Sequence, residues 1–272
     1  MRIVILGSSA YSETACAIAV RMAELGSVPG GALVLPSTDR ATLRRKLAQW
    51  GARGVVNYAR TKLIPRRLDE QPRVSNPYLE PPLKHRDGIF RSLREVAALY
   101  NFPVATCRDQ NSPQSIAQLR TWSPDLIIFT GGDILRKQLL QLPRLGVLNV
   151  HLGLLPEIRG MSSPEWSLLN HVPLGITIHY MNEGIDTGPI LQRYDFSELA
   201  ECVSLSDLRN RLIAFGVDKI AEVVTGLDQG AISATPQRDL DKDSQFFVMH
   251  EWLQARAAEC LANRGKPPSR ER

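Results

Sequence analysis

A doubly wound, mostly parallel α/β sheet is the fold this 272-residue sequence predicts. Three observations predict it. Short, continuous apolar runs recur along the chain, as expected for strands buried on both faces. Helix-sized stretches with capping residues alternate with them, the rhythm of right-handed crossovers between parallel strands. Glycine turns follow two of the runs, and open α/β sheets bind ligands at the carboxyl ends of their strands. The length allows a substantial core in one large domain or two modest ones.

Taken in order, residues 2–7 (RIVILG) form a first strand that ends in the turn Gly7-Ser8-Ser9. Residues 12–25 form a helix with Ala15, Ile18, Ala19, Met22 and Leu25 on one side and Gly26 past its end. A strand at 32–35, a helix at 39–50 with Asp39 as cap, and a strand at 54–58 continue the pattern. The rhythm breaks at 60–88, where Pro65, Pro72, Pro77, Pro81 and Pro82 leave no sustained period. This stretch is expected to be a long binding loop or insertion. The pattern resumes with a helix at 89–100, a strand at 103–107, a helix at 114–122 behind Ser112-Pro113, and a strand at 125–129. The second glycine turn follows, Thr130-Gly131-Gly132-Asp133-Ile134-Leu135. Beyond the central block come a strand at 190–196, a long helix from about 205 to 225 opened by Ser204…Asp207, an amphipathic segment at 246–261 and a polar tail.

Apolar residues make up 43% and charged residues 22%, ordinary for a globular chain. No apolar run approaches the roughly 20 residues of a membrane span. The N-terminus reads as a strand rather than a leader, so a cytoplasmic location and no membrane partner are expected. Cys16, Cys107, Cys202 and Cys260 form no CxxC pair, which speaks for buried free thiols and against a disulfide framework or a metal site. The net charge of +5 is uneven: residues 53–94 hold ten Lys/Arg against four Asp/Glu. That excess suits either an anionic ligand or a solvated basic loop. Gly7-Ser8-Ser9 matches neither the G-x-G-x-x-G fingerprint nor a Walker A loop, which leaves an anion-facing turn and a plain turn both open.

The chemistry concentrates in residues 146–191. Asn149 and His151 lie two apart in a strand-like run, which puts both on one face, with Leu148, Val150 and Leu152 on the other. A polar pair on an otherwise apolar strand is costly unless bonded or used. A helix-sized stretch and a second strand follow, ending in the carboxylate-bearing turn Glu183-Gly184-Ile185-Asp186-Thr187-Gly188. An amide, an imidazole and a carboxylate together suit polar chemistry at a carbonyl.

The order Asn149, His151, Leu154-Leu155-Pro156, Arg159-Gly160, then Gly175, Thr177, His179 and Asp186, Gly188, Pro189 resembles the formyltransferases that use 10-formyltetrahydrofolate. That family includes glycinamide ribonucleotide, methionyl-tRNA and sugar-nucleotide formyltransferases. The resemblance implies a catalytic block over 1–225, with the basic insertion at 60–88, and a C-terminal extension over 226–272. It makes Asn149, His151 and Asp186 the catalytic trio. Amine attack on a formyl carbon needs donors for an oxyanion, which an amide and an imidazolium supply; losing one such donor costs about 10²–10³ in rate. A carboxylate would favour the charged imidazole and manage the proton. The resemblance also implies that Gly132, Asp133, Ile134 and Leu135, with Asn182, Glu183, Gly184 and Ile185, line the pteridine pocket, mostly through backbone groups. Gly7, Ser8, Ser9 and Arg159 are expected at the acceptor, His179 in support, and Gly153 where the family often has Ser.

No metal is expected. The acceptor is a small amine, expected to be anionic and first of all a sugar nucleotide; amino-acid, peptide or other small amines, methionyl-tRNA and glycinamide ribonucleotide follow. The chain ends early for a tRNA-binding domain. Two rivals stay open: a hydrolase passing formyl to water, and an RNA-binding protein on a retained catalytic fold, although no nucleic-acid partner is expected. A homodimer is left open.

Overall fold

The computed structural model describes residues 1–36, 74–86, 88–238 and 244–263. The helix expected at 39–50, the strand at 54–58, most of the basic insertion and the polar tail lie outside them.

Seven strands form the central sheet: β1 (Ile3–Gly7), β2 (Gly31–Val34), β5 (Val104–Thr106), β6 (Leu126–Phe129), β7 (Gly146–His151), β9 (Gly175–Tyr180) and β10 (Ile190–Asp195). Their order is β10-β9-β7-β6-β1-β2-β5. The pairs β5/β2, β2/β1, β1/β6 and β6/β7 are parallel, while β9 runs antiparallel to both β7 and β10. The order reverses at β1, which places a topological switch point between the carboxyl ends of β1 and β6. Two-residue pairs complete the sheets: β3 (Lys84–His85) with β4 (Gly88–Ile89), and β8 (Arg159–Gly160) with β11 (Gln245–Phe246).

The period of two sorts the strand side chains into two cores. Ile3, Ile5, Ala32, Val34, Leu126, Ile128 and Leu148 join one cluster, with α1 (Glu13–Glu24) and Val217, Ile220 and Val224 of α7 (Leu205–Asp228). Val4, Leu6, Leu33, Ile127 and Val147 join the other, with Ile116 and Leu119 of α4 (Pro113–Trp122). A third cluster fixes α6 (Ser163–Leu169) and α8 (Glu251–Asn263) against the start of α7. The remaining helices are short: α2 (Glu80–Leu83), α3 (Leu93–Tyr100) and α5 (Lys137–Leu140).

Capping follows the sequence closely. Ser12, Ser92, Ser112 and Ser204 each accept a backbone N–H from the first turn of their helix. At α7 the box is reciprocal: Ser204 Oγ accepts from Asp207 N at 3.1 Å, and Asp207 Oδ2 accepts from Val203 N at 3.1 Å.

Two expectations need correction. The described end of the 60–88 insertion is ordered structure, with a 3-10 turn at Pro77–Leu79, then α2, then the β3–β4 hairpin. Leu79 and Leu83 are fully buried, and Glu13 binds the backbone of Ser75 and Asn76 at 2.7 and 3.0 Å. Long-range burial and that carboxylate replace the local periodicity the prolines remove. The 246–261 segment also begins differently. Phe246 pairs in β11 before the helix starts at Glu251.

The Ser204 cap gives a direct test. Ser204→Ala should cost about 1 kcal/mol and lower the melting temperature by about 2–4 °C, read by calorimetry. An unchanged midpoint would mean that tertiary packing alone sets the start of α7.

Candidate active site

The antiparallel register sets Asn149 opposite His179 and His151 opposite Thr177. All four side chains therefore share one face of the sheet. The loop between β9 and β10 turns back over that face and brings Asp186 to both imidazoles. Asp186 Oδ2 lies 3.4 Å from His151 Nδ1, and Oδ1 lies 3.5 Å from His179 Nε2. Oδ2 also accepts the Gly160 N–H at 2.8 Å.

The bonding partners assign the ring protons. A carbonyl can only accept, so His151 Nε2, 2.7 Å from Ile158 O, carries a hydrogen. His179 Nδ1 does likewise toward Tyr180 O at 2.8 Å. When neutral, His179 therefore presents an Nε2 lone pair to Asn149 Nδ2 at 3.3 Å. That bond orients the Asn149 amide and leaves its second N–H unused by His179. Nε2 serves Asn149 as an acceptor or Asp186 as a donor, one at a time. Thr177 is fully buried and ties the loop after His151, accepting from Leu155 N at 3.0 Å and donating to Gly153 O at 2.7 Å.

Burial and charge compete here. Desolvation pushes His151 below the ordinary histidine value, against the upward pull of Asp186 and the Ile158 carbonyl, and burial wins. Burial thus works against the imidazolium expected from the sequence, and Asp186 works for it. Burial would raise Asp186, but hydrogen bonding and charge from His179, the charge of His151 and the Gly160 N–H take its carboxyl down to about 2.

Asn149 lines a cavity of about 260 Å³ with Thr14, Ile18, Thr130, Val150 and Gly216. Thr14 and Ile213 also line a second cavity of about 320 Å³, which Tyr11, Ser75, Asn76 and Asn210 make more polar. Neither cavity has His151 or Asp186 among its lining residues. Arg159, expected at the acceptor, is 5% exposed in β8 and lines neither cavity. Strand pairing with Gln245 takes that segment inward.

The two glycine turns meet at the switch point. A Cβ on Gly131 would lie 3.4 Å from Ser8 Cβ. Gln110, fully buried, donates to Gly7 O at 3.3 Å and accepts from Asp133 N at 3.0 Å. Gly132, at φ +145°, leaves room for it, since a Cβ there would fall 2.2 Å from Gln110 Oε1. Asn111 holds the same turn, donating to Ile134 O at 3.0 Å and accepting from Arg136 N at 2.7 Å. Leu135 is buried in a cluster shared with Met181, beside the turn of Asn182, Glu183, Gly184 and Ile185. Ile134 and Ile185 are exposed on these turns, at 89% and 49%. Gln110 and Asn111 carried no sequence signal, because each acts across 20 residues or more from an irregular segment; Gly160 stood in the motif, but its bond to Asp186 spans 26 residues. Thr177 and His179 had entered with the family resemblance, His179 in support.

The sequence model of the formyl transferase family matches residues 1–224. The chain belongs to this family. It is 33% identical over 149 residues to a methionyl-tRNA formyltransferase of Pelobacter propionicus, covering 54% of this chain and 46% of that one. The chain thus spans about half the length of the curated relatives it matches first. Among solved structures, the fold is similar to a sugar N-formyltransferase from Shewanella sp. FDAARGOS_354, with a TM-score of 0.56 and 15% identity over 98% of this chain and 90% of that one. It is also similar to glycinamide ribonucleotide transformylase 1 from Symbiobacterium toebii, with a TM-score of 0.54 and 18% identity over 85% and 89% of the two chains. The doubly wound, mostly parallel sheet is the family's fold.

The Asp186 environment predicts an acid-sensitive stability. A carboxyl depressed to about 2 from 3.8 stabilises the fold above the higher value, and that stability is lost as pH falls between them, about 2 kcal/mol in all. His151, held low, adds a loss that begins higher, as pH falls through the ordinary value of 6.5. Urea unfolding from pH 7 to 2 should show both losses, and Asp186→Asn should flatten the lower one. Identical pH curves for the two proteins would refute the coupling.

Proposed function

We propose that this chain transfers a formyl group from 10-formyltetrahydrofolate to a primary amine. The observation that carries the proposal is the Asn149 amide, at the cavity wall, oriented by His179 and backed by the His151–Asp186 pair. The residues present fit the donor. Each of the turns 131–136 and 182–187 offers backbone groups and an exposed isoleucine, suited to a flat, polar-edged ring. When bound, the donor supplies an activated formyl carbonyl, so no covalent enzyme intermediate is needed.

The chain's own groups then divide the work. Asn149 directs its free N–H to the carbonyl oxygen as the amine nitrogen bonds to the formyl carbon. The His151–Asp186 pair takes the proton the amine sheds, directly or through water. The proton would sit on His151 Nδ1, facing Asp186, and pass from there to the departing nitrogen of the donor as its C–N bond to the formyl carbon breaks. In this reading, the acceptor enters from the α1–α7 side and the donor from the side of the two turns.

The acceptor reading is a sugar-nucleotide amine. The cavity beside Asn149 is largely apolar, and its neighbour is polar. An amine-bearing sugar would occupy the first and its polar remainder the second. Methionyl-tRNA is the second reading, since a methionine side chain also suits an apolar collar and the matched relatives carry that activity in their names. Incubation with 10-formyltetrahydrofolate and a panel of sugar-nucleotide amines, amino acids and methionyl-tRNA separates these, with tetrahydrofolate release as the readout. Asn149→Ala should lower kcat by about 10²–10³ with the fold intact. Unchanged turnover would remove Asn149 from the mechanism, and rapid formate release without any amine would replace transfer by hydrolysis.

A further inference from the structure

The family match ends at residue 224, yet the segment beyond α7 reaches the centre of the site twice. Thr235 and Ile190 exchange both backbone hydrogen bonds at 2.8 Å. Two residues on, Gln237 Nε2 donates to the carbonyls of Asp186, at 2.8 Å, and Gly188, at 2.7 Å. Further along, β11 pairs with β8 and so fixes Gly160, whose N–H meets the Asp186 carboxylate. One C-terminal strap therefore grips Asp186 at its main chain and, through Gly160, at its side chain.

The Asp186 turn needs such ties. Asp186 has φ 52°, a left-handed conformation that non-glycine residues hold only when the surroundings impose it. Gly188 packs its backbone against Tyr180, where a Cβ would fall 1.8 Å from the carbonyl oxygen. Gln237 spends its amide nitrogen on the two turn carbonyls, while its Oε1 is buried without a partner among the described residues. Its donors, not its acceptor, are what the turn uses.

We propose that Gln237 is a positioning residue for Asp186: by tying the carbonyls of Asp186 and Gly188 it sets the carboxylate between His151 and His179, and so sets the proton affinity of that cluster and the rate of formyl transfer. The inference rests on the role given to Asp186 in the proposed reaction. The titratable groups bearing on Asp186 are His151 on β7 and His179 on β9, with the Gly160 N–H from β8. Arg238, the next residue on the strap, is exposed and is not among the groups acting on Asp186. A carboxylate that drifts from His151 stabilises its charged form less, so the value of that imidazole falls.

Gln237→Met tests this, because it keeps side-chain length and removes both N–H donors. Gln237→Asn, an amide too short to span both carbonyls, is the second variant. Histidine NMR titration should show His151 moving down by about 0.5–1 pH unit in the Met variant. Turnover should fall about tenfold or more with KM for the amine little changed. A purely structural glutamine would lower the melting temperature and leave the titration in place. Superimposed His151 titrations in wild type and either folded variant overturn the proposal, whatever happens to turnover. The NMR comparison needs no substrate, so it still decides if the chain proves not to transfer formyl groups; a wild-type chain without turnover would fail the reaction assignment instead.

Discussion

The site depends on one constraint, the antiparallel pairing of β7 with β9. Because Asn149 faces His179 and His151 faces Thr177, four polar side chains gather on one face. Leu148, Val150, Ile176 and Ile178 lie on the other, against α1 and α7. A slip of one residue would turn the polar set into that core and expose the apolar one. Each buried polar group would then lose its partner, at about 1–3 kcal/mol apiece. The register is thus fixed by hydrophobic burial, and the arrangement of amide and imidazoles follows from it.

The same sheet separates two approaches to Asn149. The cavity lies on the side of α1 and α7, reached by Ile18, Val150 and Gly216. The turn at 131–136 borders that cavity at Gly131, but its Leu135 packs with Met181, beside the turn at 182–187, in the core on the opposite side. Asn149, at the end of β7, stands between them. Parallel strands make this possible, since their carboxyl ends collect the loops at one edge, and the switch point opens the gap between β1 and β6. Gln110 bridges that gap, bonding Gly7 on one side and Asp133 on the other. The rigidity of the turns comes from this buried amide more than from their own sequence.

Much of this was legible in the sequence, because it obeys local rules. Strands buried on both faces read as unbroken apolar runs, and Ser112 and Ser204 announced the starts of two helices. The period of two placed Asn149 with His151. What failed to show depends on contacts distant in sequence. The proline-rich stretch before Gly88 looked structureless, yet in its described part, residues 74–86, Leu79 and Leu83 are buried in the core. Arg159, expected at the acceptor, is buried in β8 beside β11, a pairing between segments 86 residues apart that no local pattern announces. Gln110 and Gln237 are single glutamines in irregular chain, and only the tertiary fold gives them carbonyls to hold. The pull of burial against a charged His151 was hidden for a related reason. A nearby carboxylate can be read from a motif, whereas the depth of burial that opposes it cannot.

That competition defines what the His151–Asp186 pair can do. Residue 153 is glycine, and beside it His151 Nε2 bonds the Ile158 carbonyl at 2.7 Å. A Cβ at Gly153 would press to 3.0 Å from that nitrogen. With Nε2 committed as a donor, Nδ1 is the one ring position where a proton can come and go, and it faces Asp186 at 3.4 Å. Empty, this position sets a lone pair against a carboxylate, a contact with no hydrogen bond in it. Filled, it becomes an ion pair with a bonded proton. Burial favours the empty position, and Asp186 stabilises the filled one. A group held in that balance is a better acceptor for a proton released in the site than either a solvated histidine or a permanently charged one.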